Sequence, residues 1–143
     1  MAGQEQRAAV VAEAMTWLTT PWMHMARVKG AGVDCAQLPA AVYAATGVIP
    51  AIEPAYAEQW GLHRDRELYV EWVLRFGREI ERADLRPGDL VLWKYGRTFS
   101  HGAIVVDPPT VIHAWRMARG VTLDNMDQHE ELRTRPARFF SLW

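Results

Sequence analysis

The sequence predicts an α+β domain in which helices come first and an antiparallel sheet follows. Apolar residues recur at helical spacing through the first half. The second half breaks into short segments rich in β-branched and aromatic residues, separated by Pro, Gly or Asp. At 143 residues, half of them apolar, the chain fits a single domain spanning 1–143, and no repeat or linker-like stretch divides it.

The first helix is expected within MAGQEQRAAVVAEAMTWLTT, with Ala8, Val11, Ala12, Met15 and Leu18 on its buried face and Arg7 and Glu13 on the other side. Thr20-Pro21 ends it. The segment MHMARVKGAG reads as a loop. A second helix follows in GVDCAQLPAAVYAATG, where Leu38, Ala41, Val42 and Ala45 form an apolar face and Gly47 suits the C′ position. Asp34 and Gln37 have capping-box spacing, which puts Cys35 in the first helical turn. Pro39 falls where the first regular backbone bond is donated, so that turn must be loose or bent. A further helix is expected over ELYVEWVLRFGREIE, and strands over DLVLWKYG, SHGAIVVD, TVIHAWRM, GVTLDNM and ARFFSLW.

A net charge of −1 argues against nucleic acid or an anionic membrane surface as a partner. No run is long enough to span a bilayer, and the N-terminal stretch, with Glu5 and Glu13, lacks the apolar core of a signal peptide. The protein is therefore expected to be made in the cytoplasm without an export signal. A single cysteine forms no internal disulfide, so packing must stabilise the fold.

That cysteine, Cys35, stands at the expected mouth of a helix, where the positive end of the helix dipole favours a thiolate nucleophile. A base is available in His101 or His113, on consecutive strands joined through DPPT. An odd number of unpaired residues in the connection, such as Asp107 to Pro109, places both rings diagonally on one face; an even number separates them. In the odd register His101 can take the thiol proton and His113 can orient the ring of His101. Asp34 reads as a cap, Asp89 as part of a turn entering a strand, and His63 and His129 as solvated residues. Trp60, Trp115 and Trp143 are candidates to face a partner.

The motifs GVDC at 32–35, RPGDLVLW at 86–93, SHGAIVVD at 100–107 and VIHA at 111–114 resemble, in order and approximate spacing, the pattern of the NlpC cell-wall peptidase family. The resemblance implies a papain-like core with the cysteine helix packed on an antiparallel sheet. It also implies Cys35 as nucleophile, His101 as general base, His113 as orienting residue, and a peptidoglycan stem peptide as substrate, cleaved through a thioester with no cofactor. Three departures stand out. Ala36-Gln37 replaces the usual Ser-Gly, Pro39 is unexpected, and Trp22 stands about where the family often has an oxyanion-site tyrosine. His24 beside it is a substitute donor or a loop residue. More narrowly, TPWMHMARVKGAGVDC is similar to the tail-associated branch of bacteriophages and gene transfer agents, which implies tail-tip or baseplate partners and incorporation into a tail. The competing readings are a structural tail-tip component with little turnover, an acyl transferase, and a metal site drawn from Cys35, His24, His101 or His113. The last is disfavoured by the long separations between its ligands, so no metal is expected.

Overall fold

The computed structural model describes residues 2–51 and 67–143, so the expectations for Trp60 and His63 fall outside the described residues. Three helices, α1 (Ala2–Met15), α2 (Gln37–Ala45) and α3 (Leu68–Leu74), are described there. A two-stranded hairpin of β1 (Arg27–Val28) and β2 (Gly32–Val33) occupies most of the segment expected to be a plain loop and runs one residue past it. The main sheet contains β3 (Arg78–Ile80), β4 (Leu90–Tyr95), β5 (Thr98–Asp107), β6 (Thr110–Trp115), β7 (Gly120–Asn125) and β8 (Ala137–Ser141). Its order is β3-β8-β4-β5-β6-β7, every neighbouring pair antiparallel. This is the α+β architecture that the change of period predicts.

Strand alternation divides the core in two. On β4, Leu90 and Leu92 join the helix layer formed by Val10, Ala14, Leu38, Val42, Tyr43, Trp72 and Val73. Val91 and Trp93 join a smaller cluster with Val105, Val111, Met126 and Leu132. With both faces covered, β4 reads as a continuous apolar run.

Two helices differ from expectation. The inward face of α1 carries Arg7, Val10 and Ala14, continued by Trp17 in the following turn, while Ala8 and Ala12 are exposed. Alanine and valine occur all around this helix, so its orientation is decided by Arg7, whose guanidinium reaches the buried Asp89 at 2.8 Å. The turn role expected of Asp89 holds as well, because its other oxygen accepts the Arg86 N–H at 2.9 Å. The expected long third helix stops at Leu74. Gly77 then lets the chain pass so near β8 that an added Cβ would lie 2.4 Å from the Ser141 carbonyl oxygen, and Arg78–Ile80 pairs with β8 as an edge strand.

The β5–β6 connection settles where the two histidines point. Ile104 pairs with Ile112, Val105 with Val111, and Asp107 with Thr110, leaving Val106, Pro108 and Pro109 unpaired. The number is odd, as the shared-face register requires, although the extra residue is a bulge at Val106 and Asp107 itself is paired. His101 and His113 therefore project from one face on a diagonal.

Candidate active site

Cys35 does not lie in the first turn of α2; it precedes the first helical residue, Gln37, by two positions. The first i→i+4 bond, from the Leu38 N–H to the Asp34 carbonyl at 3.0 Å, closes a turn around it. Asp34 Oδ1 accepts from the Ala36 and Gln37 N–H groups at 3.1 and 2.9 Å, so its role as a cap holds. The reciprocal half of the capping box is missing, and the buried amide oxygen of Gln37 has no partner among the described residues. Pro39 cannot donate to the Cys35 carbonyl as a regular helix would. The Tyr69 hydroxyl points to that oxygen instead, at 3.4 Å.

The far side of the thiol is formed by β5. Trp93 pairs with His101 and Lys94 with Phe99, which leaves Ser100 as a bulge beside His101. The Cys35 thiol donates to the Ser100 carbonyl at 3.7 Å. The sulfur thus lies against the backbone flanking His101. On the next residue, a Cβ at Gly102 would sit 2.3 Å from the Tyr69 hydroxyl oxygen. Gly102→Ala is therefore expected to cost roughly 1–3 kcal/mol of stability, as overpacking does. Urea denaturation checks this, and adding Tyr69→Phe should recover part of the loss.

Burial is the largest influence on the thiol and pushes its pKa up to about 12, with the Asp34 carboxylate adding to the rise. The backbone N–H groups of Gly102, Cys35 and Ala36 pull it down without compensating. This corrects the expectation of a thiolate favoured by a helix N-terminus: Cys35 lies before the helix, and the capping acid opposes the anion. Both influences, burial and the acid, favour the neutral thiol. Its alkylation by iodoacetamide near pH 7.5 is expected to run at least about tenfold slower than that of free cysteine and to keep rising well above pH 9. A rate plateau below pH 8 would contradict this picture.

The imidazoles form a chain. His101 Nε2 and His113 Nδ1 are 2.8 Å apart, and His113 Nε2 is 2.7 Å from Asp124 Oδ2. Burial, the largest cause in each case, lowers the pKa of both histidines, well below the ordinary value for His101. The hydrogen bond from His113 holds the Asp124 carboxyl below its usual range. Asp124 was not singled out from the sequence. The available signal was parity: Thr122 pairs with His113, so Asp124, two residues on, shares the face of β7 on that side.

Other expected residues are distributed as follows. The His24 side chain is 69% exposed, with Nδ1 3.9 Å from Asp34 Oδ2. Its ring stacks with that of Trp22, centroids 6.4 Å apart, and neither residue joins the imidazole chain. Trp115 is half-buried, and its ring centroid lies 5.3 Å from that of His101 and 5.5 Å from that of His113. Trp143 is half-buried, under the Arg7 guanidinium at 4.4 Å. His129 is likewise not simply solvated. It packs edge-on against Trp115 at 4.9 Å, and its Nδ1 accepts the Glu131 and Leu132 N–H groups, each at 3.2 Å.

His113, Asp124 and His129 bring their ligand-type atoms within 4.8 Å of one another, a different set from the one considered in the sequence. Proton placement does not suit a metal. Because His129 Nδ1 already accepts two backbone N–H groups, its neutral ring carries its proton on Nε2.

Comparison with known proteins places these features in context. The sequence profile of the NlpC/P60 family matches residues 19–134. The Escherichia coli (strain K12) protein named Murein DD-endopeptidase MepS/Murein LD-carboxypeptidase is 31% identical over 77 residues, covering 54% of this chain and 39% of that protein. This chain thus matches well under half the length of that relative. The NlpC/p60 domain of the peptidoglycan hydrolase SagA superposes with a TM-score of 0.64 at 22% identity, covering 92% of this chain and 96% of that one. The peptidoglycan hydrolase RipB from Mycobacterium tuberculosis superposes with a TM-score of 0.64 at 16% identity, covering 97% and 65%. At these identities the structural matches establish the papain-like fold.

Proposed function

We propose, from the premise that this chain belongs to the NlpC/P60 family, that it is a cysteine peptidase cleaving an amide in the peptide stem of peptidoglycan. The observation that carries this reading is the lone thiol held against the bulged strand on which His101 begins a buried imidazole chain. The names of the similar proteins, a murein endopeptidase and two peptidoglycan hydrolases, supply the substrate class.

With His101 Nε2 taken by His113, Nδ1 is the nitrogen left for the thiol. In the proposed step the S–H leaves the Ser100 carbonyl and turns to that nitrogen. As Sγ attacks the scissile carbonyl carbon, the thiol proton passes to Nδ1 and a tetrahedral oxyanion forms. Backbone N–H at Cys35 is the proposed oxyanion donor, a contact typically worth ~10²–10³ in rate. Collapse to the thioester expels the amine, which takes the proton from the imidazolium. Water, deprotonated by the same ring, then releases the acid and restores the thiol. A thiol that is neutral at rest suits this sequence, since charge separates only as the carbonyl is attacked. His24 and Trp22, on the Asp34 side of the helix mouth, are assigned to substrate contact at the rim.

The reading extends to delivery by a phage-like tail, supported by the Thr-Pro-x-x-His run at Thr20–His24. Peptide mass spectrometry of purified particles from a producing strain should find the chain among the tail proteins. The enzymatic proposal is tested by incubating the purified chain with sacculi and separating the products by mass. New stem-peptide fragments are expected, and intact sacculi after prolonged incubation would refute it.

A further inference from the structure

The buried chain from His101 ends on a carboxylate that neither the sequence motif nor the thiol chemistry calls for. Its geometry is definite: His101 Nε2 to His113 Nδ1 at 2.8 Å, then His113 Nε2 to Asp124 Oδ2 at 2.7 Å. An imidazole chain of this kind has two proton arrangements. In one, both Nε2 atoms carry hydrogens and His101 Nδ1 is a bare lone pair. In the other, both hydrogens move to the Nδ1 atoms, and His101 faces the thiol with an N–H that accepts nothing.

We propose that Asp124 is the positioning residue that selects the first arrangement and so makes His101 Nδ1 a base. An ionised carboxylate can only accept, which requires the hydrogen of His113 to be on Nε2. Neutral His113 then presents the Nδ1 lone pair, and His101 must donate to it from Nε2. One carboxylate at the end of two rings therefore determines the protonation of an atom it does not touch. Burial of His113, which is 0% exposed, excludes water that would otherwise satisfy either tautomer. His129 reinforces the choice: with Nδ1 accepting two backbone N–H groups, its own hydrogen is on Nε2, the nitrogen left for the neighbouring Asp124.

The functional consequence rests on the peptidase reading above; the tautomer assignment does not. The test therefore has two arms. Ring ¹⁵N NMR on the full chain at neutral pH should show hydrogens on Nε2 of both His101 and His113, with both Nδ1 atoms bare. A protonated His101 Nδ1 in the wild type overturns the proposal. In the second arm, Asp124→Leu removes the acceptor at a side chain that is 30% exposed, where substitution need not disturb the core. Turnover of a soluble peptidoglycan fragment should fall by about 10²–10⁴-fold in kcat, the range expected for a misplaced tautomer, with KM within about twofold. Asp124→Glu should restore part of the loss. A kcat for Asp124→Leu within about threefold of wild type overturns the proposal, as does an equal loss in Asp124→Glu with the wild-type tautomer retained. If the wild type leaves peptidoglycan intact, the peptidase reading fails and the NMR arm still decides the role of Asp124.

Discussion

Cys35→Ala and His101→Ala are each expected to abolish release of stem-peptide fragments from sacculi, with the residual rate down by at least about 10⁴-fold. The two losses should be of similar size, and the double variant should be no slower than either single one. The reason is that in the proposed mechanism nucleophile and base act in one step. A thiol with a pKa near 12 is almost entirely protonated at neutral pH, so removing the base removes the route to the anion. His113→Ala should retain more activity, because the His101 ring is still present and loses only the acceptor that orients it and holds its hydrogen on Nε2. Cys35→Ala is expected to leave the fold undisturbed, since the hydrogen bond it gives up, to the Ser100 carbonyl, is long at 3.7 Å. His101→Ala opens space among Trp93, Tyr95, Trp115 and His113, so its thermal transition should be measured beside its activity. Identical fragments from wild type and Cys35→Ala would place the chemistry elsewhere.

Much of this site was legible before the structure, for identifiable reasons. The second half of the chain is written in period two, so the strands carrying His101 and His113 were located, and the parity argument reduced their placement to one odd-or-even question. The bulge that answered it, at Val106, leaves no mark in residue type. Nor does the bulge at Ser100, whose carbonyl receives the thiol; both arise from how the strands pair. The thiol's high pKa was missed because it depends on burial against a distant strand, while the nearby acid and helix were visible. The dipole argument was sound in direction but gave the helix two residues too many. Asp124 lay inside an expected strand, and only the pairing of Thr122 with His113 shows which face it shares. On α1, apolar residues on all sides hid the true inward face, and a charged residue that looked external proved to be its anchor.

That anchor leads to the largest expected stability effect. Arg7 and Asp89 form an ion pair at 2.8 Å with side chains 7% and 0% exposed. The guanidinium also donates to the Pro87 carbonyl at 3.0 Å and to the Ser141 hydroxyl at 3.1 Å, tying α1 to the turn before β4 and to the end of β8. Arg7→Ala leaves the Asp89 carboxylate buried without its cation, and removing one partner of such a pair typically costs ~3–5 kcal/mol. That is a large share of the ~5–15 kcal/mol by which a domain is stable, so urea denaturation should show a much lower midpoint with unchanged cooperativity. The loss should belong to the abandoned charge more than to the attraction. Arg7→Met combined with Asp89→Leu, which removes both charges, should therefore be more stable than Arg7→Met alone. The half-exposed pair between Arg138 and Glu79 is the control: Glu79→Gln should change stability by about 1 kcal/mol or less, because water already solvates both ends. If Arg7→Ala were as mild as Glu79→Gln, the orientation of α1 would have to be held by its apolar contacts, Val10, Ala14 and Trp17, and the buried pair would be a passenger on that packing.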